Sequence, residues 1–300
     1  MVKFAAFVCL LLLLLPGCER NRPIDLEALK GRARGGEAAA FRELVELLGV
    51  SERQVNDRVY PLLLELGEAA VPYLLNAVAD PDRIRREHAI AALGTLKVRA
   101  AVEPIGAVLA HGDWPRRYVA AWALGEIGAA EGIPFLLPAL DDTDAEVRRY
   151  AVRSLIKFNQ AAVDPLLAFL PGASAQALPG AIRALGDIGD GRALSALLAA
   201  ASGPARQEAL AALGKLKDPR AEALLVEALG DSDWRSRMNA AMALGALGGP
   251  AAVMALEQSL EDEVPVVREW SARSLETITG RHVKYRDEAG EYVLPYSIYH

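Results

Sequence analysis

The sequence predicts an all-α fold. The expected form is a right-handed α-α superhelix of about seven stacked two-helix units, closed at its end by a short C-terminal hairpin or extended tail. Three observations carry this expectation. One apolar motif recurs as AIAALGTLK at 89, AAWALGEIG at 120, AVRSLIKFN at 151, AIRALGDIG at 181, ALAALGKLK at 209, AAMALGALG at 240 and SARSLETIT at 271. Its central leucines are Leu93, Leu124, Leu155, Leu185, Leu213, Leu244 and Leu275, separated by 31, 31, 30, 28, 31 and 31 residues. A fixed period in this range marks a stack of equivalent supersecondary units. The composition is 52% hydrophobic but only 6% aromatic, which suits many thin alanine–leucine interfaces better than one aromatic core.

The chain opens MVKFAAFVCLLLLLLPGCER. Lys3 gives a short positive region, and Phe4 to Leu15 is an unbroken apolar run. As a helix this run is about 18 Å long at ~1.5 Å per residue, against the ~30 Å of a bilayer core. That length fits a secretory signal rather than a stable span. The stretch LPGC at 15–18 resembles the lipobox of bacterial lipoproteins. The resemblance implies cleavage after Gly17, diacylglycerol on the Cys18 sulfur and acylation (palmitate) of the new amine. More than one acyl chain is what stable anchoring requires. Glu19 after the cysteine points to the outer membrane, with the mature chain facing the periplasm. Residues 1–17 are thus expected as a signal peptide and 18–36, broken by Pro and Gly, as a tether.

Within the repeat, residues four before, one before and at each leucine share one helical face. The first two sets are small: Ala89, Ala120, Ala151, Ala181, Ala209, Ala240, Ser271, then Ala92, Ala123, Ser154, Ala184, Ala212, Ala243, Ser274. Small residues let neighbouring helices approach closely. Glycine follows five of the leucines, at 94, 125, 186, 214 and 245. Each costs about 1 kcal/mol against alanine inside a helix, so a recurring glycine implies a packing reason or a helix end.

A second apolar segment precedes each motif, with Pro72, Pro104, Pro134 and Pro165 early in it, where a missing N–H does little harm. Acidic turns follow, such as DPD at 80, DDTD at 141, DSDW at 231 and EDE at 261. Each unit therefore reads as helix A, acidic turn, helix B. The aspartates are placed to cap helix B. Arg86, Arg117, Arg148, Arg206, Arg237 and Arg268 stand seven before the leucine and can pair with a carboxylate of their own or the next unit. As exposed pairs they would add about 0–1 kcal/mol each, setting register more than stability. The fourth unit departs from the pattern. It has Leu178 in place of the arginine and carries FLPGASAQALPGAI, so a kink or bulge is expected there.

These units resemble the HEAT repeat, in the short variety found in phycobilisome lyases and many bacterial proteins. The resemblance covers residues 67–280, and with a degenerate cap from Glu37 to Leu66 it implies a solenoid over 37–280. The tail, 281–300, holds four tyrosines and alternates around DEAG. It is expected to be a hairpin or extended cap over the last unit, since terminal units need one.

No catalytic set is apparent. Both cysteines, Cys9 and Cys18, lie at the N-terminus, and the histidines are His88, His111, His282 and His300. Deoxyhypusine hydroxylase, also built of HEAT repeats, uses paired His-Glu steps in several units for iron. This chain offers only the reversed, solitary Glu87-His88. Phosphate-binding glycine fingerprints are missing as well. The expectation is no enzyme activity, no metal and no cofactor, and the net charge of −6 argues against nucleic acid.

What varies is the helix-B stripe six, five and two residues before each leucine. Solenoid curvature usually turns one such ridge into a concave groove. Tyr118 and Trp122 lie one turn apart, followed on later units by Arg149, Arg153 and Arg183, and further on by Met238 and Met242. Aromatic side chains beside arginines are the composition of an interface hot spot. The alternative for Trp122 is packing on an adjacent helix A; Trp114 and Trp234, in the acidic turns, are expected to cover seams. The expected function is a lipid-anchored interaction scaffold for a protein or peptide. The alternatives are a lyase- or hydroxylase-type repeat enzyme and a purely structural envelope spacer.

Overall fold

The computed structural model describes residues 24–49, 53–112 and 114–295. It is an all-α solenoid ending in a two-stranded hairpin. An N-terminal group comprises α1 (Leu26–Arg34), α2 (Ala38–Leu47) and α3 (Arg53–Leu66). Seven A/B pairs follow: α4 (Val71–Asn76) with α5 (Arg83–Thr95), α6 (Val102–Ala110) with α7 (Tyr118–Ile127), α8 (Ile133–Leu136) with α9 (Ala145–Lys157), and α10 (Val163–Phe169) with α11 (Leu178–Ile188). The last three pairs are α12 (Leu194–Ala200) with α13 (Arg206–Leu216), α14 (Glu222–Ala228) with α15 (Trp234–Leu247), and α16 (Pro250–Ser259) with α17 (Pro265–Thr279). Strands β1 (Tyr285–Arg286) and β2 (Tyr292–Val293) pair antiparallel, Tyr285 opposite Val293. No described helix is long and apolar enough to cross a membrane. The expected signal peptide and the lipidation candidate Cys18 lie outside the described residues.

Part of the expected tether is corrected. Residues 26–34 form a helix capped by Asp25, whose carboxylate accepts the Ala28 N–H, and Leu26, Leu29 and Ala33 are buried. Those three share one face, and Lys30 pairs with Glu65 of α3. The segment is thus the outermost layer of the N-terminal cap.

The seven motif leucines and the small residues one and four before them are all buried, so this face is the core. The glycines have a packing reason. A Cβ on Gly94, Gly186 or Gly214 would come within 3.0 Å of the Ala123, Ala212 or Ala243 backbone of the next helix B. On Gly125 and Gly245 it would strike Ser154 and Ser274. Both serines use the close approach, each donating its hydroxyl 2.8 Å to a carbonyl of the preceding helix B, Ala121 and Ala241. Of the six seams between successive B helices, five are built this way. The exception joins α9 to α11, where Ile156 occupies the glycine position.

The arginine ladder forms, but it is buried rather than exposed. Arg86, Arg117, Arg237 and Arg268 are all at most 7% exposed. Each donates to a backbone carbonyl of its own A–B connection, Arg237 for instance to Asp231 O at 2.8 Å. Three rungs also reach an aspartate of the next acidic turn: Arg117 to Asp142, Arg206 to Asp231 and Arg237 to Asp262. That aspartate in turn accepts the amide N–H two residues on, at 2.8 Å from Asp144, Asp233 and Val264. The Asp233 amide and then Arg206 hold the Asp231 carboxyl below the usual range, while the Asp262 hydrogen bond raises Arg237. Asp82, Asp144 and Asp233 cap their B helices as expected.

The fourth unit changes its connection rather than bending a helix. α10 ends in a 3₁₀ turn at Leu170–Gly172. Ser174 then takes over the aspartate's work, accepting the Gln176 and Ala177 N–H groups and donating to Asp141, while Gln176 donates to the Asp141 and Asp142 carbonyls. Because this turn lacks a carboxylate, Arg148 holds only the Asp142 and Thr143 carbonyls.

The tail caps the last unit. Arg268 has no following unit to reach, and donates instead to the Arg286 and Asp287 carbonyls of the hairpin at 2.6 and 3.0 Å.

Two stability predictions follow from these contacts. Gly214→Ala should lower stability by about 1–2 kcal/mol, overpacking outweighing the gain in helix propensity. Gly31→Ala, with open space around it, should raise stability by up to about 1 kcal/mol. Urea denaturation of both variants checks the contrast. Asp262→Ala strips a buried arginine of its main partner and should cost about 3–5 kcal/mol. The contrasting pair joins Asp218, which also caps the next turn through the Arg220 N–H, to an arginine that is 71% exposed, Arg220, and Asp218→Ala should cost only about 1 kcal/mol. Similar losses in the two would refute the buried ladder.

Candidate interaction face

The helix-B stripe is grooved where neighbouring B helices meet, and the grooves are lined by the varying positions. A cleft of about 500 Å³ lies between α9 and α11. Smaller ones of about 180 and 260 Å³ lie along α13 and α15, the second including Asn239 and Met242. Most stripe residues are half-buried rather than free, because they tie one unit to the next. Gln207 donates to Asp233 at 2.7 Å, Asn239 donates to the Gln207 carbonyl at 3.1 Å, and Arg116 pairs with Glu87 at 3.2 Å.

The structure joins three of the expected residues, Tyr118, Arg149 and Arg153, through Tyr150. Tyr118 stacks on Tyr150 of the next unit, with ring centroids 5.2 Å apart and planes 24° apart. Arg149 and Arg153 lie over Tyr150 at 5.1 and 5.6 Å, and Arg116 over Tyr118 at 6.0 Å. Two aromatic rings held by three guanidinium groups thus span α7 and α9. Tyr150, the partner, stands on the same variable stripe as Tyr118. The signal was available, since the two occupy positions six and five before successive leucines.

Other candidates stand apart. The half-buried Trp122 lies against Gly94 of α5, so it packs on the preceding helix B rather than on a helix A. Arg183 sits one unit beyond the aromatic pair, on the rim of the α9–α11 cleft. Met238 is half-buried and Met242 is 38% exposed, both distant in sequence on α15. Trp114 takes Arg86 of the preceding unit over its ring at 4.1 Å, covering a seam as expected; Trp234 takes its own neighbour Arg235 at 4.5 Å.

Among the described residues no group of three or more His, Cys, Asp or Glu is placed to hold a metal. Glu87 and His88 point to different partners: Glu87 meets Arg116, and the His88 ring meets the Ile84 carbonyl at 2.7 Å.

Several solved structures are similar to this chain. Human deoxyhypusine hydroxylase in complex with glycerol is 21% identical over 85% of this chain and 99% of its own, with a TM-score of 0.35. The complex of CpcE and CpcF of phycocyanin lyase from Nostoc is 26% identical over 68% of this chain and 86% of its own, with a TM-score of 0.38. An engineered protein is 21% identical over 84% of this chain and 80% of its own, with a TM-score of 0.41. No curated protein sequence matches. The repeat pattern itself is diagnostic, for HEAT repeats match residues 71–156, 133–206 and 198–276, and the chain belongs to the HEAT-repeat family.

Proposed function

We propose that this chain is a lipid-anchored bacterial envelope protein that works as a non-enzymatic interaction scaffold, holding a protein or peptide against its helix-B face. The observation that carries the reading is the Tyr118–Tyr150 stack with its three arginines, set on a frame whose spacing is fixed by buried glycine contacts. Rigid aromatic groups lose little side-chain entropy on binding, and arginine beside them offers both stacking and charge. The anchor rests on LPGC at 15–18, and it would hold the scaffold facing the periplasm, at the outer membrane.

Crosslinking capture from intact envelopes tests the scaffold. Tyr118→Ala with Tyr150→Ala should reduce partner recovery about tenfold or more, the loss typical of a hot-spot pair. Undiminished recovery would remove this patch from the interface. Tyr118→Ala with Trp122→Ala probes the same face from its other side. Membrane attachment has its own measurement: Cys18→Ala should leave the precursor unprocessed and move the protein out of the lipid-modified fraction. Unchanged labelling by a palmitate analogue would reject the anchor.

A further inference from the structure

The α9–α11 seam breaks three rules of the repeat at once, and two of the exceptions, at Ile156 and Arg148, line one cleft. Ile156 replaces the glycine that lets the other B helices touch. A methylated side chain at that point keeps the helices apart and opens the space of about 500 Å³ between them. The fourth turn has no carboxylate to answer Arg148, whose guanidinium is held only by two carbonyls and so keeps its charge unpaired. The fourth unit also has no ladder arginine, Leu178 standing there.

The lining has two parts. The floor is apolar: Leu140, Val152 and Ile156 against the backbone of Pro179 and Gly180. The rim is cationic, with Arg148, Arg149, Arg153 and Arg183. Glu146 pairs with Arg149. Arg153 lies over the Tyr150 ring without an ion pair, and Arg183 has no ion pair among the described residues. Asp187 at the cleft's end is engaged by Lys215. In a chain with a net charge of −6, this leaves three uncompensated guanidinium groups around one apolar slot.

We propose that this cleft binds an acidic peptide segment of a protein partner, with one aliphatic side chain seated on the floor and flanking carboxylates on the arginine rim. This deepens the scaffold reading and rests on it for its biological setting. Guanidinium pairs carboxylates in a fixed fork geometry, and arginine clusters are a recurring reader of acidic motifs. The apolar floor decides the class of ligand. A small inorganic anion would leave it unused, whereas a segment of alternating acidic and aliphatic character covers both parts.

The test uses the full chain in non-ionic detergent and a fluorescein-labelled peptide, Asp-Glu-Asp-Leu-Asp-Glu-Asp, read by anisotropy. Binding should weaken with added salt, as exposed charge pairing does. Arg153→Gln with Arg183→Gln should weaken it at least tenfold. Replacing the peptide's leucine by glycine should weaken it about tenfold, the effect of losing one buried aliphatic side chain. Ile156→Gly, which keeps every arginine but restores the spacing of the other seams, should weaken it too. No anisotropy change, or affinity indifferent to the two arginines, would overturn the proposal. Equal competition by inorganic phosphate, or indifference to the leucine, would overturn the peptide assignment. The probe is synthetic, so the result does not depend on whether envelope capture through Tyr118 and Tyr150 succeeds.

Discussion

The structure depends on a contact in which one backbone approaches another with no side chain between them. At five of six seams a glycine of one helix B receives an alanine or serine of the next. Each glycine weakens its own helix by about 1 kcal/mol, and the recurrence shows what offsets that weakness: close apposition, full burial of the adjacent leucines, and at Ser154 and Ser274 a hydrogen bond that only this distance allows. A solenoid is a sum of such nearest-neighbour interfaces. Their uniformity sets the spacing of everything mounted on the helix-B face, including the tyrosine stack between units two and three.

The arginine ladder does a different task on the opposite end of the B helices. Each guanidinium gathers the A–B connection of its own unit and, in three cases, the aspartate of the next. Because most of these groups are buried, their partners cannot be removed cheaply. The ladder therefore links local turn geometry to the order of stacking. Where it is interrupted, at the fourth turn, serine and glutamine replace the missing carboxylate by hydrogen bonds alone. Charge is left over on the rim as a result.

Much of the fold was legible because helical period and repeat period coincide on the same residues. Leucine at the centre, alanine one and four before it, and aspartate at the cap each have a single physical use, and the structure puts each to that use. What was illegible depends on neighbours that one helix does not reveal. Leu26, Leu29 and Ala33 carry a helical spacing, but the surrounding glycines and charges made the segment read as a tether. The sequence leaves the burial of the arginines open, because it comes from the turn folding over them. Ile156 is plainly visible in SLIKFN, yet its effect exists only against the facing helix α11. The Tyr118–Tyr150 stack is likewise hidden, since stacking between units needs the stagger of the superhelix as well as the repeat register.

The hairpin's grip on Arg268 has a consequence for how such a chain changes length. The two acceptors are main-chain carbonyls, of Arg286 and Asp287, so this contact requires no particular side chain on the tail. Any unit ending in a ladder arginine offers the same two donors. Duplication or loss of a thirty-one-residue segment upstream would leave this main-chain grip in place.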